Sequence, residues 1–356
     1  MLALVAEAFG GYGGIAQSTQ DLLSAISFNP AIDKIEVLPR IVRDQIGDLP
    51  EKITQHPAIW NRFSYSVVAW RLMSSTRPKI VYCGHVFLAP LAAALARAYG
   101  AKLVVHVHGL EVWGRLNLAR RWALRMADMA LCVSNDTRDR LVVNAGLSAE
   151  RAEVIYNTYS DRFVLGDRTA AREAVGFGSE IVLLTVSRLD ANQRHKGHDQ
   201  VISQISLLRS RGNNVIYVIA GDGDDSLRLQ QVAKSQGVDQ YVRFLGRVPA
   251  EQLPSLYLAA DIYVMPSSRE GFGIAFIEAM ACGTLAIGLA IGGATEALCA
   301  GELGMAGSPE DFPKDLALAI ERLPIDRHLL ASRTKARFGI DAFRSRVNVA
   351  MTRFIK

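Results

Sequence analysis

The 356-residue sequence holds only four cysteines, Cys83, Cys132, Cys282 and Cys299, and no two of them form a CxxC pair. That excludes a disulfide framework and the usual zinc-finger spacings, and buried free thiols in a reducing compartment are expected. No apolar run reaches the ~18 residues needed to cross a bilayer. The longest stretch, 86–96, stops at Arg97 and predicts a buried helix. The opening residues Met1-Leu2-Ala3-Leu4-Val5-Ala6-Glu7 lack the basic flank and the apolar length of a signal peptide. A cytoplasmic location is therefore expected, with a peripheral position on the inner face of the plasma membrane compatible with it. Strong charge is missing as well: 40 basic against 35 acidic residues leave a net charge of +5. This is too mild for a nucleic-acid partner, and no aromatic–basic RNA-binding motif occurs, but it suits an anionic ligand or an anionic membrane surface. Repeats and low-complexity tracts are absent too.

What is present is an alternation of short β-branched runs with longer helical patterns, the signature of parallel sheets with crossover helices. Strands are predicted at 2–6, 35–38, 80–83, 103–107, 129–133 and 154–156, with helices near 15–26, 88–99, 118–127 and 135–145. The second half predicts strands at 181–186, 215–220, 241–245, 262–265 and 285–287, with helices beginning near Gly197, Ser226, Ala250, Gly273 and Ala294. The rhythm lapses between Thr158 and Asp167, where Tyr159, Ser160, Asp161 and Gly166 supply loop chemistry. The expected organisation is α/β: a Rossmann-like domain over 1–160, a second over 161–338, and a terminal helix over 339–356. Two doubly wound domains facing each other across a cleft would bind a ligand at the carboxyl ends of their strands.

Four clusters carry chemistry. The stretch from Arg269 to Gly283 follows a buried strand and opens a helix. Gly271 and Gly273 leave room for close backbone approach, and free N–H groups at the helix start suit an anion or a sugar hydroxyl. Glu270 lies in the loop at the strand end. Glu278, about two turns into the helix, shares a face with Phe276, Ile277 and Met280, where a carboxylate is costly without a polar partner. A vicinal diol is such a partner, because one carboxylate accepts two O–H bonds.

The second cluster pairs Arg188, at a strand end, with Lys196, just before the next helix; two such cations make a clamp for a diphosphate. The third, Gly10-Gly11-Tyr12-Gly13-Gly14-Ile15, could bring main-chain N–H groups onto a phosphate, although its spacing is not GxGxxG. In the fourth, His106 and His108 alternate by two and share a strand face. Two ligands do not make a zinc site, so His108 reads as a sugar contact and His106 as a core histidine. Separately, the segment 113–126 is basic and amphipathic, with Trp113 and Trp122. It suits either anionic lipid headgroups or an ordinary helix with one solvated face.

Together these residues resemble the large family 4 of retaining glycosyltransferases with the GT-B fold, most strongly over 181–323. Glu270 and Glu278 fit that family's E-x7-E element. Gly271-Phe272-Gly273, the run from Glu278 to Gly283, Ala220 to Gly223 and Phe244 to Val248 match further landmarks. The resemblance implies a hexose donor carried on a nucleoside diphosphate, no other cofactor and no metal. It implies that Glu278 binds the ribose diol, and that Glu270 with the Phe272, Gly273 and Ile274 backbone binds the transferred hexose. Arg188 and Lys196 would hold the diphosphate with Gly13 and Gly14, His108 would touch the donor sugar, and main chain near Arg247 and Val248 would read the base. The terminal helix would return to the first domain. The implied acceptor is a glycan, preferably lipid-linked as in exopolysaccharide assembly. The implied chemistry is front-side displacement, with Glu111 a minor candidate nucleophile for a double displacement. A nucleotide-sugar epimerase of the same fold and a non-catalytic nucleotide-sugar-binding module are the alternatives.

Overall fold

A computed structural model describes all 356 residues. The chain folds into two compact units, one formed by Met1–Thr158 with Asp341–Lys356 and the other by Tyr159–Ile340.

The first unit is built on a seven-stranded sheet. Its strands are β1 (Leu2–Val5), β2 (Ile35–Pro39), β3 (Ile53–Gln55), β4 (Ile80–Cys83), β5 (Lys102–Val107), β6 (Met129–Cys132) and β7 (Ala152–Val154). They lie side by side in the order β3-β2-β1-β4-β5-β6-β7, every neighbouring pair parallel. Every residue of β1 and β4 is buried. Helices cover both faces of such a sheet, which is why these strands read as unbroken apolar runs rather than alternating ones. The terminal helix Ile340–Ile355 belongs to this unit from Asp341 onward. Val347 and Met351 are buried there, and the Asn29 side chain donates to Asn348 (2.8 Å) and Thr352 (3.1 Å).

The second unit carries a six-stranded sheet of β8 (Ile181–Val186), β9 (Val215–Ala220), β10 (Val242–Gly246), β11 (Ile262–Met265), β12 (Leu285–Leu289) and β13 (Met305–Gly307). Its order is β10-β9-β8-β11-β12-β13, again with parallel neighbours throughout. In both sheets the order reverses once, between β1 and β4 and between β8 and β11. Loops diverge from the carboxyl ends of strands at such a switch point and leave a crevice for ligands. The glycine loop of 10–14 follows β1, Arg188 and Lys196 follow β8, and Glu270 follows β11.

Ten of the eleven anticipated strands form where expected, and the eleventh, anticipated at 154–156, forms at Ala152–Val154. The short edge strands β3 and β13 and the helices Arg62–Thr76, Arg168–Val175, Phe312–Glu321 and Arg327–Phe338 are additional to the sequence reading. The four cysteines are free and buried. Burial pushes the thiols of Cys83 and Cys282 up to about 12, so neither is a nucleophile near neutral pH. No helix is long and apolar enough to cross a membrane.

Candidate functional site

In the second unit the loops after β8 and β11 are tied together by the main chain. Ser268 N–H donates to the His195 carbonyl at 2.8 Å. Gly197, at φ 82°, sits so close to the next loop that a β-carbon would lie 2.5 Å from the Pro266 carbonyl oxygen. Gly221 and Gly223 press equally on Ser187 and Leu189, with hypothetical β-carbons 1.7 Å from the Ser187 oxygen and 2.3 Å from the Leu189 carbonyl carbon. Glycine is required at these positions because backbone touches backbone.

Beneath the loops runs a buried polar chain. Ser187 Oγ meets His198 Nε2 at 2.9 Å, His198 Nδ1 meets the Tyr217 hydroxyl at 3.1 Å, and that hydroxyl meets Thr185 Oγ1 at 2.8 Å. Burial lowers the His198 pKa to about 4, so the ring is neutral and works as a strut.

This scaffold brings Lys196 to Glu270, Nζ to Oε2, at 3.4 Å, with both side chains mostly shielded. Arg188 keeps 56% of its side-chain surface exposed and leans on Asp190 at 3.5 Å. Arg194, in the same loop, is drawn instead to the buried Asp225, which also binds Arg228. Arg188 and Lys196 are thus the loop cations that no buried carboxylate has taken, although Lys196 already has the partly shielded Glu270 beside it.

Helix Ile274–Ala281 starts at Gly273, whose φ of 90° and ψ of 64° place it in left-handed space, and no side chain caps the helix. No side chain therefore occupies its opening N–H groups, although the Phe276 N–H donates to the Gly273 carbonyl at 3.0 Å. A β-carbon at Gly273 would lie 2.5 Å from the Phe276 ring. Glu278 lies in the second turn, nearer the start of this eight-residue helix than its sequence context suggested. It has found a partner that sequence reasoning missed: the Tyr257 hydroxyl donates to Oε2 at 2.9 Å. Tyr257 is fully buried, edge-on to Phe163 and beside Tyr263, and its carbonyl accepts from Thr284 Oγ1 at 2.6 Å. Desolvation raises the Glu278 pKa to about 7, opposed by the Tyr257 bond and by the charge of Arg162. A carboxylate held this way is poised between acid and anion at neutral pH and retains unused acceptor capacity.

Arg247 and Val248 follow Gly246 at the carboxyl end of β10, and Gly246 closes on Gly221 through a 2.8 Å N–H···O bond. The expectation of no metal leaned on the absence of an Asp-x-Asp carboxylate pair, and that is corrected here: Asp222-Gly223-Asp224 is such a string. Its carboxylates accept main-chain N–H groups, Asp222 from Gly223 at 2.8 Å and Asp224 from Ala191 at 2.6 Å. No group of three or more His, Cys, Asp or Glu side chains is arranged to hold a metal ion.

In the first unit, Gly13 caps helix Gly14–Ser27 at φ 90° and ψ 175°, with no side-chain bond and nothing within 4 Å of where a β-carbon would stand. The His106 and His108 rings lie side by side, tilted by 49° with centroids 4.1 Å apart. His106 is buried against the Tyr82 hydroxyl (2.8 Å to Nδ1), and burial drives its pKa well down, as befits a neutral core histidine. His108 Nε2 donates to the Gly84 carbonyl at 2.9 Å, which leaves Nδ1 as the acceptor. Glu111 accepts the His108 main-chain N–H at 2.6 Å, a bond that orients the turn.

These arrangements can be set beside known proteins. The family model described as "Glycosyl transferases group 1" matches residues 167–338, and the one described as "Glycosyltransferase Family 4" matches residues 18–161. The GDP-mannose-dependent alpha-(1-6)-phosphatidylinositol monomannoside mannosyltransferase of Mycolicibacterium smegmatis is 34% identical over 248 residues, 66% of this chain and 64% of the relative. Its Mycobacterium tuberculosis counterpart is 30% identical over 271 residues, 72% of this chain and 69% of the relative. The chain spans about half the length of another curated relative, matching 46% of the GPI3 subunit of phosphatidylinositol N-acetylglucosaminyltransferase from Saccharomyces cerevisiae. Among solved structures, Anabaena HepE in complex with UDP-glucose superposes with a TM-score of 0.78 at 19% identity, covering 99% of this chain and all of that one. At that identity the superposition speaks for the fold. With both domain models matched in order, the chain belongs to the family 4 type of glycosyltransferases and carries the GT-B fold.

Proposed function

We propose that the protein is a retaining glycosyltransferase that moves a hexose from a nucleoside-diphosphate sugar, of the UDP-glucose or GDP-mannose type, to a glycan acceptor. The observation that carries this reading is the grouping of Lys196, Glu270 and the uncapped helix start at Gly273 at the switch point of the second sheet, with Glu278 in the next turn. Glu278 accepts both hydroxyls of a ribose diol. Glu270 and the main chain of Phe272, Gly273 and Ile274 hold the hexose. Arg188 and Lys196 hold the diphosphate, and Gly13 and Gly14 offer it main-chain N–H groups. His108 offers Nδ1 to a sugar hydroxyl, and main chain near Arg247 and Val248 reads the base.

The C1–O bond to the β-phosphate breaks while the acceptor oxygen bonds C1 from the same face. The acceptor's proton passes to the departing phosphate oxygen. Charge that develops on that phosphate is stabilised by Arg188 and Lys196 most strongly in the transition state, without a metal ion. The names of the mycobacterial relatives, which specify GDP-mannose and a phosphatidylinositol monomannoside, support a lipid-borne acceptor. The basic helix Leu118–Arg125 suits a site beside such a lipid.

The test is transfer in the presence of EDTA from each candidate donor to phosphatidylinositol- and polyprenyl-diphosphate-linked sugars, with the anomeric configuration of the product read by NMR. The same α-configuration in donor and product is expected. An inverted product, or turnover restored only by added magnesium, contradicts the mechanism. Deuterium gained from solvent by the donor sugar would point to an epimerase instead.

A further inference from the structure

Helix Arg62–Thr76 has two apolar faces, and the fold uses only one. At about 100° per residue, Tyr65, Ala69 and Met73 fall on one side, where they are buried in the core with Val68 and Leu72 packed against it. Phe63, Val67 and Trp70 fall on the opposite side. Phe63 is 78% exposed and Trp70 56%, and Trp60, just before the helix, is 76% exposed. Three large aromatics on one open stripe exceed the scattered exposure that ordinary surfaces show.

The charge around the stripe is one-sided. The helix and its flanks, residues 60–79, hold four basic residues and no acid; Asp44, Asp48 and Glu51 lie earlier, on the segment that follows Arg40. Arg62, Arg71, Arg77 and Lys79 are exposed on or beside the helix. Arg40, Trp60, Asn61, Arg62 and Phe63 line a shallow pocket of about 460 Å³. The Arg40 guanidinium donates to the Trp60 carbonyl, while its buried Nε has no partner.

We propose that this face docks the protein onto an anionic phospholipid bilayer. Trp60, Phe63 and Trp70 enter the headgroup region, and Arg40, Arg62 and Arg71 meet lipid phosphates. Tryptophan and phenylalanine beside arginine are the side chains that settle at a bilayer interface, where apolar burial and attraction to negative headgroups add. A second copy of the chain fits less well, because a two-fold contact would set this basic face against itself. The proposal concerns a face distinct from segment 113–126 and does not depend on the donor-site assignment.

The experiment is flotation of the full chain with vesicles of phosphatidylcholine alone or with about 30% phosphatidylglycerol. Wild type is expected to float with the anionic vesicles, less so in high salt, and to stay behind with the neutral ones. Phe63→Glu combined with Trp70→Glu is expected to lower partitioning roughly tenfold or more. Both residues are exposed, so circular dichroism and nucleotide-sugar binding should match wild type. Equal flotation of the variant would overturn the proposal, as would wild type ignoring anionic vesicles. So would loss of flotation in Leu118→Glu with Trp122→Glu when the Phe63/Trp70 variant still floats. A concentration-dependent dimer abolished by the Phe63/Trp70 variant, without vesicle binding, would assign the face to a second copy instead.

Discussion

The glycine-bearing loops at the two switch points share close main-chain packing and part company at Gly13. After β8 and β11, glycines let main chain touch main chain: Gly197 on Pro266, Gly221 on Ser187, and Gly293 on Gly271, whose oxygen would lie 2.0 Å from a β-carbon at 293. After β1, β-carbons at Gly10 and Gly11 would lie 2.7 Å from the Asp44 carbonyl oxygen and 2.8 Å from the Ala8 carbonyl oxygen, whereas Gly13 faces open space. The first arrangement fixes Lys196, Glu270 and Gly273 before any ligand arrives. The second is anchored at Gly10 and Gly11 and leaves only the stretch at Gly13, before the helix, unobstructed. Preorganised charge is what a site needs where charge develops, whereas a phosphate contact needs only unobstructed donors.

The sharpest way to break this contrast is Gly293→Ala. The residue has an ordinary φ of −67°, so the whole cost is the collision with the Gly271 backbone. A loss of about 3 kcal/mol or more is expected in urea denaturation, together with loss of nucleotide-sugar binding. Gly13→Ala sits at the other extreme. It meets nothing, so its cost comes from the backbone alone: φ 90° with ψ 175° is a region nearly reserved for glycine, and a loss of about 1–3 kcal/mol is expected as a fall in the melting midpoint. Similar losses at the two positions would erase the distinction.

Between these lies the Tyr257–Glu278 pair. Burial raises the Glu278 pKa to about 7 and the tyrosine hydroxyl opposes the rise. A diol needs the ionised carboxylate as acceptor, so donor affinity should increase as pH rises toward 7 and level off above it. Below the midpoint the slope should approach roughly tenfold per pH unit. Tyr257→Phe removes the stabilising O–H, so the midpoint should move to higher pH and affinity at neutral pH should fall. A profile that does not change in Tyr257→Phe would remove the tyrosine from the account, and a profile flat in wild type would remove Glu278.

Much of this was legible in the sequence because parallel strands buried on both faces leave apolar runs that nothing else imitates. Edge strands β3 and β13 span only three residues each, too short for such a run. Helix Arg62–Thr76 escaped for a different reason: with Phe63, Val67 and Trp70 opposite Tyr65, Ala69 and Met73, it has no single apolar stripe to detect. Glu270 and Glu278 could be singled out because both belong to one strand–loop–helix segment. Tyr257 lies 21 residues from Glu278, on helix Leu253–Ala259, and only the folded second unit brings the two together. The string Asp222-Gly223-Asp224 shows the converse, a motif plain in sequence whose carboxylates the structure commits to main-chain N–H groups.

The measurement that tests the central claim most directly is calorimetric titration of UDP-glucose, UDP-galactose, UDP-N-acetylglucosamine and GDP-mannose, without metal, into wild type and Glu278→Ala. Glu278→Ala leaves the buried Tyr257 hydroxyl without its acceptor, at a cost of about 1–3 kcal/mol, so circular dichroism and a melting curve must first show the variant folded. Micromolar binding of one donor by wild type, absent from a folded Glu278→Ala, is the predicted result. Binding that ignores the substitution, or none by wild type to any donor, would contradict the donor site described above.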